Sequence, residues 1–80
     1  MKTTWYFDNR VRPRRPYLTM VMCAIVLSDP IRTEEQPDGR FRFWGEIYLP
    51  GENRPRIMRV VTLSDGETIH NAFIDSGFRR

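Results

Sequence analysis

Two side chains in the C-terminal third are chemically unlike their neighbours. Arg59 lies within Ile57–Leu63, a stretch whose other members are Ile, Met, Val, Val, Thr and Leu. A guanidinium there must reach water, pair with a carboxylate or meet an anionic ligand, because burying it alone is prohibitive. His70 is the single histidine and stands beside Asn71 in a second β-type stretch. A neutral imidazole at that place can take or deliver a proton near neutral pH. The plainer readings are a salt-bridged arginine and a hydrogen-bonded strand histidine.

Cationic residues gather at two other places. Arg40, Arg42, Trp44 and Tyr48 share one face of an alternating segment, a pattern that suits phosphate contact with base stacking and equally suits cation–π packing without a ligand. Arg10, Arg12, Arg14 and Arg15 fall in residues 1–16, which carry a charge balance of +4, whereas the other 64 residues balance at −1. All of the basic excess is therefore N-terminal. Twelve of the 13 cations are arginine, whose planar fork matches phosphate or carboxylate bidentately. This arm reads either as an electrostatic footprint for nucleic acid or as a solvated segment paired with the protein's own acids.

The remaining inventory is thin. One His and one Cys cannot build a multi-histidine or cysteine-based metal site, so neither a metal nor a cofactor is expected. There is no Gly-rich phosphate loop, no nucleophile elbow and no CxxC pair. Ser28, Ser64 and Ser76 lie where turns or caps are expected.

The elements that must position these residues follow from the punctuation of the chain. Prolines at 13, 16, 30, 37, 50 and 55 divide it. Thr3–Phe7 has the aromatic and β-branched make-up of a short strand, and Arg10–Pro16 should be extended or turn-like because each proline restricts the residue before it. Thr19–Ser28 is the helix candidate, with Thr19 as N-cap and Asp29-Pro30 as stop. Its run Met20–Leu27 is apolar on every side, so periodicity leaves a buried strand open, and a helix there should be largely covered.

Glu34–Gly39 reads as a polar loop ending in the turn Pro37-Asp38-Gly39. Arg40–Leu49 alternates, with Phe41, Phe43, Gly45, Ile47 and Leu49 inward; Gly45 marks a bulge or a close backbone approach. Ile57–Leu63 and Glu67–Ile74 form a hairpin about Asp65-Gly66. A two-residue turn sets Val61 opposite His70. A three-residue loop sets Val61 opposite Ile69 and Arg59 opposite Asn71, gathers Ile57, Val61, Leu63, Ile69 and Phe73 on one face, and is the preferred register. The expected fold is α+β: one short helix packed on an antiparallel meander of three to four strands, the fourth supplied by the N-terminal segment.

Eighty residues make a single small domain, 1–80, with 1–16 as an Arg-rich arm. The longest apolar run is eight residues against the roughly 20 of a bilayer span. The N-terminus lacks the pattern of a secretory signal, and Cys23 has no cysteine to pair with, so a reducing, cytoplasmic setting and no membrane partner are expected.

The order helix–SDP–polar turn–strand–RVVTLSDGETIHNAF resembles the small RelE-like ribonuclease toxins and the wider barnase-, EndoU- and colicin-like nucleases. The arginine opening RVV, Arg59, matches an arginine that in RelE-like toxins contacts RNA phosphate. RPYLT, QPDGRFRFWG and RVVTLSDGETIHNAFID together are similar to a family of short uncharacterised bacterial proteins, over nearly the whole chain. The first resemblance implies a helix on an RNA-directed sheet and metal-independent cleavage, with Arg59 on the phosphate. It carries over to Arg59 only, and His70 as the group that would move a proton is read from its own chemistry. The chain departs from it in its short helix without histidine and in having Lys2 as its only lysine. The rival expectation is a non-catalytic module that binds a protein partner or a second copy of itself.

Overall fold

Thr19 starts the one regular helix: its Oγ1 accepts from the Met22 N–H at 3.1 Å, and α1 runs Met20–Ser28. A computed structural model describes residues 1–80. After α1 come β1 (Arg32–Glu35), β2 (Phe41–Ile47), β3 (Arg56–Thr62) and β4 (Ile69–Ile74), an antiparallel meander in the order β1-β2-β3-β4. The class is α+β, as expected from the punctuation. No helix is long and apolar enough to cross a membrane.

One face of the sheet is covered. Register puts Phe43 opposite Val60 and Val60 opposite Ala72, Gly45 opposite Met58 and Met58 opposite Ile74. Cys23 and Val26 of α1 descend on this face, and Phe7, Val11 and Leu18 complete the core. Gly45 lies beneath the helix: a Cβ there would stand 3.1 Å from Val26 Cα and 3.2 Å from Val26 Cγ2. Close approach, and not a bulge, explains this glycine. Burial pushes the Cys23 thiol up to about 11, with the charge of Arg12 pulling weakly the other way.

Several expectations are corrected. Thr3–Phe7 is not a strand. Thr3 makes one parallel bridge with Ile69, between Lys2 and Thr4 backbone groups. The chain then turns helical because Thr4 caps it, Oγ1 accepting from Phe7 N–H and the carbonyl from Asp8 N–H. Arg10–Pro16 is likewise helical as far as Arg14, through a π-helical turn (Phe7–Val11) and a 3₁₀ turn (Arg12–Arg14). Pro13 fits because it stands at the start of the second turn, where its missing N–H costs nothing. Only Arg15, before Pro16, leaves the helical region, at φ −132° and ψ 58°.

The fourth strand is β1, from a segment read in part as loop. All four of its residues are exposed, so burial imposes no alternation on them; backbone pairing to β2 holds them, and their charges protect the open edge. Around α1, cover is incomplete: Val21 is 69% and Ile25 46% exposed.

The hairpin register differs from the preferred one. Asp65 carboxylate oxygens accept from Glu67 N–H, Thr68 N–H and the Thr68 hydroxyl, and Gly66 takes φ +71°. These bonds, that to the Thr68 side chain foremost, hold the Asp65 carboxyl down at about 2. Thr62 then faces Ile69, the alignment of a two-residue turn, and the register shifts by one to give Val61–Asn71, Val60–Ala72 and Arg59–Phe73. His70 is the extra residue of that bulge. Met58, Val60 and Ala72 lie on the covered face and Arg59, Val61 and Phe73 on the other; the shift brings Ile69, expected beside Val61 and Phe73, over to the covered face.

Candidate functional site

The face turned away from α1 carries a single transverse row, with Phe78 and Arg79 of the C-terminal segment packed over its β1–β2 end. Arg32 on β1 faces Trp44 on β2, Trp44 faces Arg59 on β3, and Arg59 faces Phe73 on β4. Cation and ring alternate across all four strands. The Arg59 guanidinium lies 5.5 Å from the Trp44 ring and 4.6 Å from the Phe73 ring; that of Arg32 lies 5.9 Å from Trp44 and 4.7 Å from Phe78. Arg15 continues the row past the sheet, 5.9 Å from Phe73. Planar guanidiniums stacked on ring faces lose little further freedom when an anion binds.

The expected stacking role of Trp44 is altered by its burial. It is only 5% exposed, packed by Arg32, Arg42, Arg59 and Phe78, and its Nε1–H donates to Asp75 Oδ2 at 2.9 Å. Its ring presents arginines and has no face left for a base. Tyr6 is the better stacking surface, 44% exposed and stacked on His70 with centroids 4.9 Å apart.

Beside the row lies a cleft of about 330 Å³, walled by Tyr6, Gln36, Arg40, Arg59, Val61, His70, Asn71 and Phe73. Arg59 and His70, 11 positions apart, thus share a wall with Arg40, which enters from the end of the β1–β2 turn. The His70 bulge turns its imidazole toward the N-terminal segment, where Nδ1 lies 3.1 Å from Thr4 Oγ1. Thr4 Oγ1 accepts from Phe7 N–H and has a second lone pair for a proton on Nδ1; in that tautomer Nε2 is the unprotonated nitrogen. Burial lowers the His70 pKa below the ordinary value, the charge of Arg40 adds to the effect and Asp38 opposes it. His70 is therefore neutral at physiological pH. A larger hollow of about 600 Å³ lies between α1 and the β3–β4 turn, but its titratable side chains are Lys2 and Glu67 and it holds none of the singled-out residues.

Charge on the open face is unevenly compensated. Arg40 pairs with Asp38 at 3.4 Å, Arg42 with Glu34 at 3.4 Å and Arg59 Nε with Asp75 Oδ2 at 3.6 Å. The last is a Coulombic contact beyond hydrogen-bond range, so Arg59 Nε is buried without a hydrogen-bond partner, as is Arg42 Nε. Arg15 and Arg32 have no carboxylate within 4 Å. In the arm, Arg12 pairs with Asp8 at 3.7 Å and Arg10 lies over Trp5 at 5.5 Å, while Arg14 is exposed. Of the four arm arginines only Arg15 touches the row. No three His, Cys, Asp or Glu side chains gather to hold a metal ion.

Tyr6, Arg32, Phe73 and Asp75 belong to the site without having been singled out in the sequence. Nothing in their local spacing marks them, since each enters through strand register or through packing of a terminal segment. The chain matches no known family model, and comparison with curated proteins and with solved structures returns no match.

Proposed function

We propose that the protein is RNA-directed and seats a phosphodiester in the cleft, on Arg59 and Arg40, with His70 alongside. The observation that supports this reading is that Arg59 and His70, two misfits on different strands, wall one cleft on the face carrying the arginine–aromatic row. The resemblance of the RVVTLSDGETIHNAF segment to RelE-like ribonuclease toxins agrees with it. Binding of this kind draws much of its strength from counterion release and weakens steeply with salt.

The same groups have the chemistry for metal-independent cleavage. A ribose 2′-oxygen attacks phosphorus, its proton passes to the neutral His70, and Arg59 balances the growing charge on the phosphoryl oxygens. The P–O5′ bond breaks to leave a 2′,3′-cyclic phosphate, and the protonated His70 returns its proton to the departing O5′. With one histidine in the cleft, a single group serves both transfers.

The deciding experiment measures anisotropy of a labelled single-stranded RNA over a salt series, followed by gel analysis of the same samples. Wild type is expected to bind at low salt, and Arg59→Ala to weaken it about tenfold or more, as the loss of a charge-assisted contact does. Absence of binding at low salt sinks the reading. Intact RNA after long incubation, with binding preserved, leaves a binding domain without cleavage.

The exposed Val21 and Ile25 on α1 favour one rival, a module that meets a protein partner or a second copy through an apolar surface. Its association would be nearly independent of salt, and sedimentation equilibrium distinguishes a concentration-dependent dimer from a monomer.

A further inference from the structure

The arginines of the open face differ in what they are free to do. The inner three, Arg40, Arg42 and Arg59, each stand within 4 Å of a carboxylate, whereas the two at the ends of the row, Arg15 and Arg32, do not. Both end residues are held against rings and neither meets a carboxylate, although Arg32 donates one N–H to the Arg79 carbonyl at 3.2 Å, so the uncompensated charge of this face stands at its two margins. Arg32 and Phe73 are three strand spacings apart, about 14 Å at about 4.8 Å each. The Arg15 guanidinium stands over the Phe73 ring, 5.9 Å from its centroid.

We propose that Arg15 and Arg32 are the end anchors of a single-stranded oligonucleotide that crosses the sheet at right angles to its strands, with one base stacked on Tyr6. This rests on the phosphodiester reading of the cleft, which lies beside the crossing path. The span between the anchors, about 14 Å across the strands and at most about 20 Å with the Arg15–Phe73 distance added, fits a short strand of up to about four nucleotides, the lower end of known single-strand site sizes. A duplex does not suit it: the major groove admits a helix or a two-stranded ribbon, and a flat four-stranded face is too broad to enter. Tyr6 supplies the stacking face that Trp44, covered by its own arginines, lacks.

The test uses fluorescein-labelled single strands of two, four and eight nucleotides and a hairpin duplex, titrated into the full chain. Affinity is expected to rise from the dinucleotide to the tetranucleotide and then level off, with the duplex weaker. Arg15→Gln and Arg32→Gln should each weaken the tetranucleotide several-fold, leave the dinucleotide unchanged and reduce the salt slope by about 0.7 per arginine. Arg54→Gln, in the exposed loop between β2 and β3, serves as the control. If single strands bind but length has no effect, the duplex binds as well, or the two Gln variants behave like Arg54→Gln, the crossing path is wrong and the cleft reading survives. If no oligonucleotide binds even at low salt, the cleft reading fails and the path with it.

Discussion

Trp44 and Arg59 meet on one carboxylate oxygen. They face each other across β2 and β3, the guanidinium 5.5 Å from the indole, and Asp75 Oδ2 lies 2.9 Å from Trp44 Nε1 and 3.6 Å from Arg59 Nε. One acid thus holds the buried ring in place and offsets the charge at the centre of the row.

Removing that acid should separate its two roles. Asp75→Ala strands the indole N–H and is expected to cost about 1–3 kcal/mol in urea denaturation. Asp75→Asn keeps an oxygen for Trp44 and removes the charge facing Arg59, so it should cost less and tighten binding of a single-stranded oligonucleotide. Equal destabilisation by both variants would show that the charge pair, and not the indole bond, carries the stability.

Gly45 sets the distance between sheet and helix. Gly45→Ala places a methyl 3.1 Å from Val26 Cα, a backbone atom that cannot move aside alone. The expected loss is about 1–3 kcal/mol. Val26→Ala in the same chain should recover part of it, because it removes the 3.2 Å contact with Val26 Cγ2 while those with Cα and Cβ remain. Denaturant midpoints of the two single variants and the double variant decide this.

The depressed pKa of His70 predicts the slope of stability against pH. The unfolded chain takes up this proton more readily than the folded one, so stability is full above the ordinary histidine value of about 6.5. It falls as pH drops through that value toward the lower folded pKa, then levels. His70→Gln should flatten this limb between pH 7 and pH 5, and urea midpoints across that range measure it. A limb unchanged in the variant would assign the titration elsewhere.

Cys23 should be silent until the fold opens. Its thiol has no solvent exposure and its pKa is pushed up to about 11, so Ellman's reagent at pH 8 should not react with the native protein and should react promptly in denaturant. Native reactivity that matches the denatured rate would place α1 off the sheet.

Much of the architecture could be read locally. Thr19 and Asp29-Pro30 bracket α1 because a cap and a stop act within a few residues. Phe41, Phe43, Gly45 and Ile47 declare the inner face of β2 through strict alternation, and Asp65-Gly66 declares the hairpin through the positive φ that glycine accepts. Arg59 and His70 were conspicuous against their neighbours for the same reason. β1 was partly hidden, because a strand exposed on both faces leaves no periodic trace. Thr3–Phe7 misled because aromatic content suits a strand, while Thr4 capping and the burial of Phe7 settle it as helix.

By itself, the sequence determined the bounds of the α1 segment, the inner face of β2, the hairpin turn and the two residues that do not fit their surroundings, while leaving Met20–Leu27 open between helix and buried strand. Whether those two residues meet was decided only in three dimensions. A one-residue bulge at His70 sets Arg59 beside Phe73, two positions on from the Asn71 of the preferred register and on the same face, while Ile69 alone crosses to the covered face. Partner acids at 34, 38 and 75 neutralise three arginines that look equivalent to Arg15 and Arg32 in the chain. Composition counts charges; only packing decides which of them remain free.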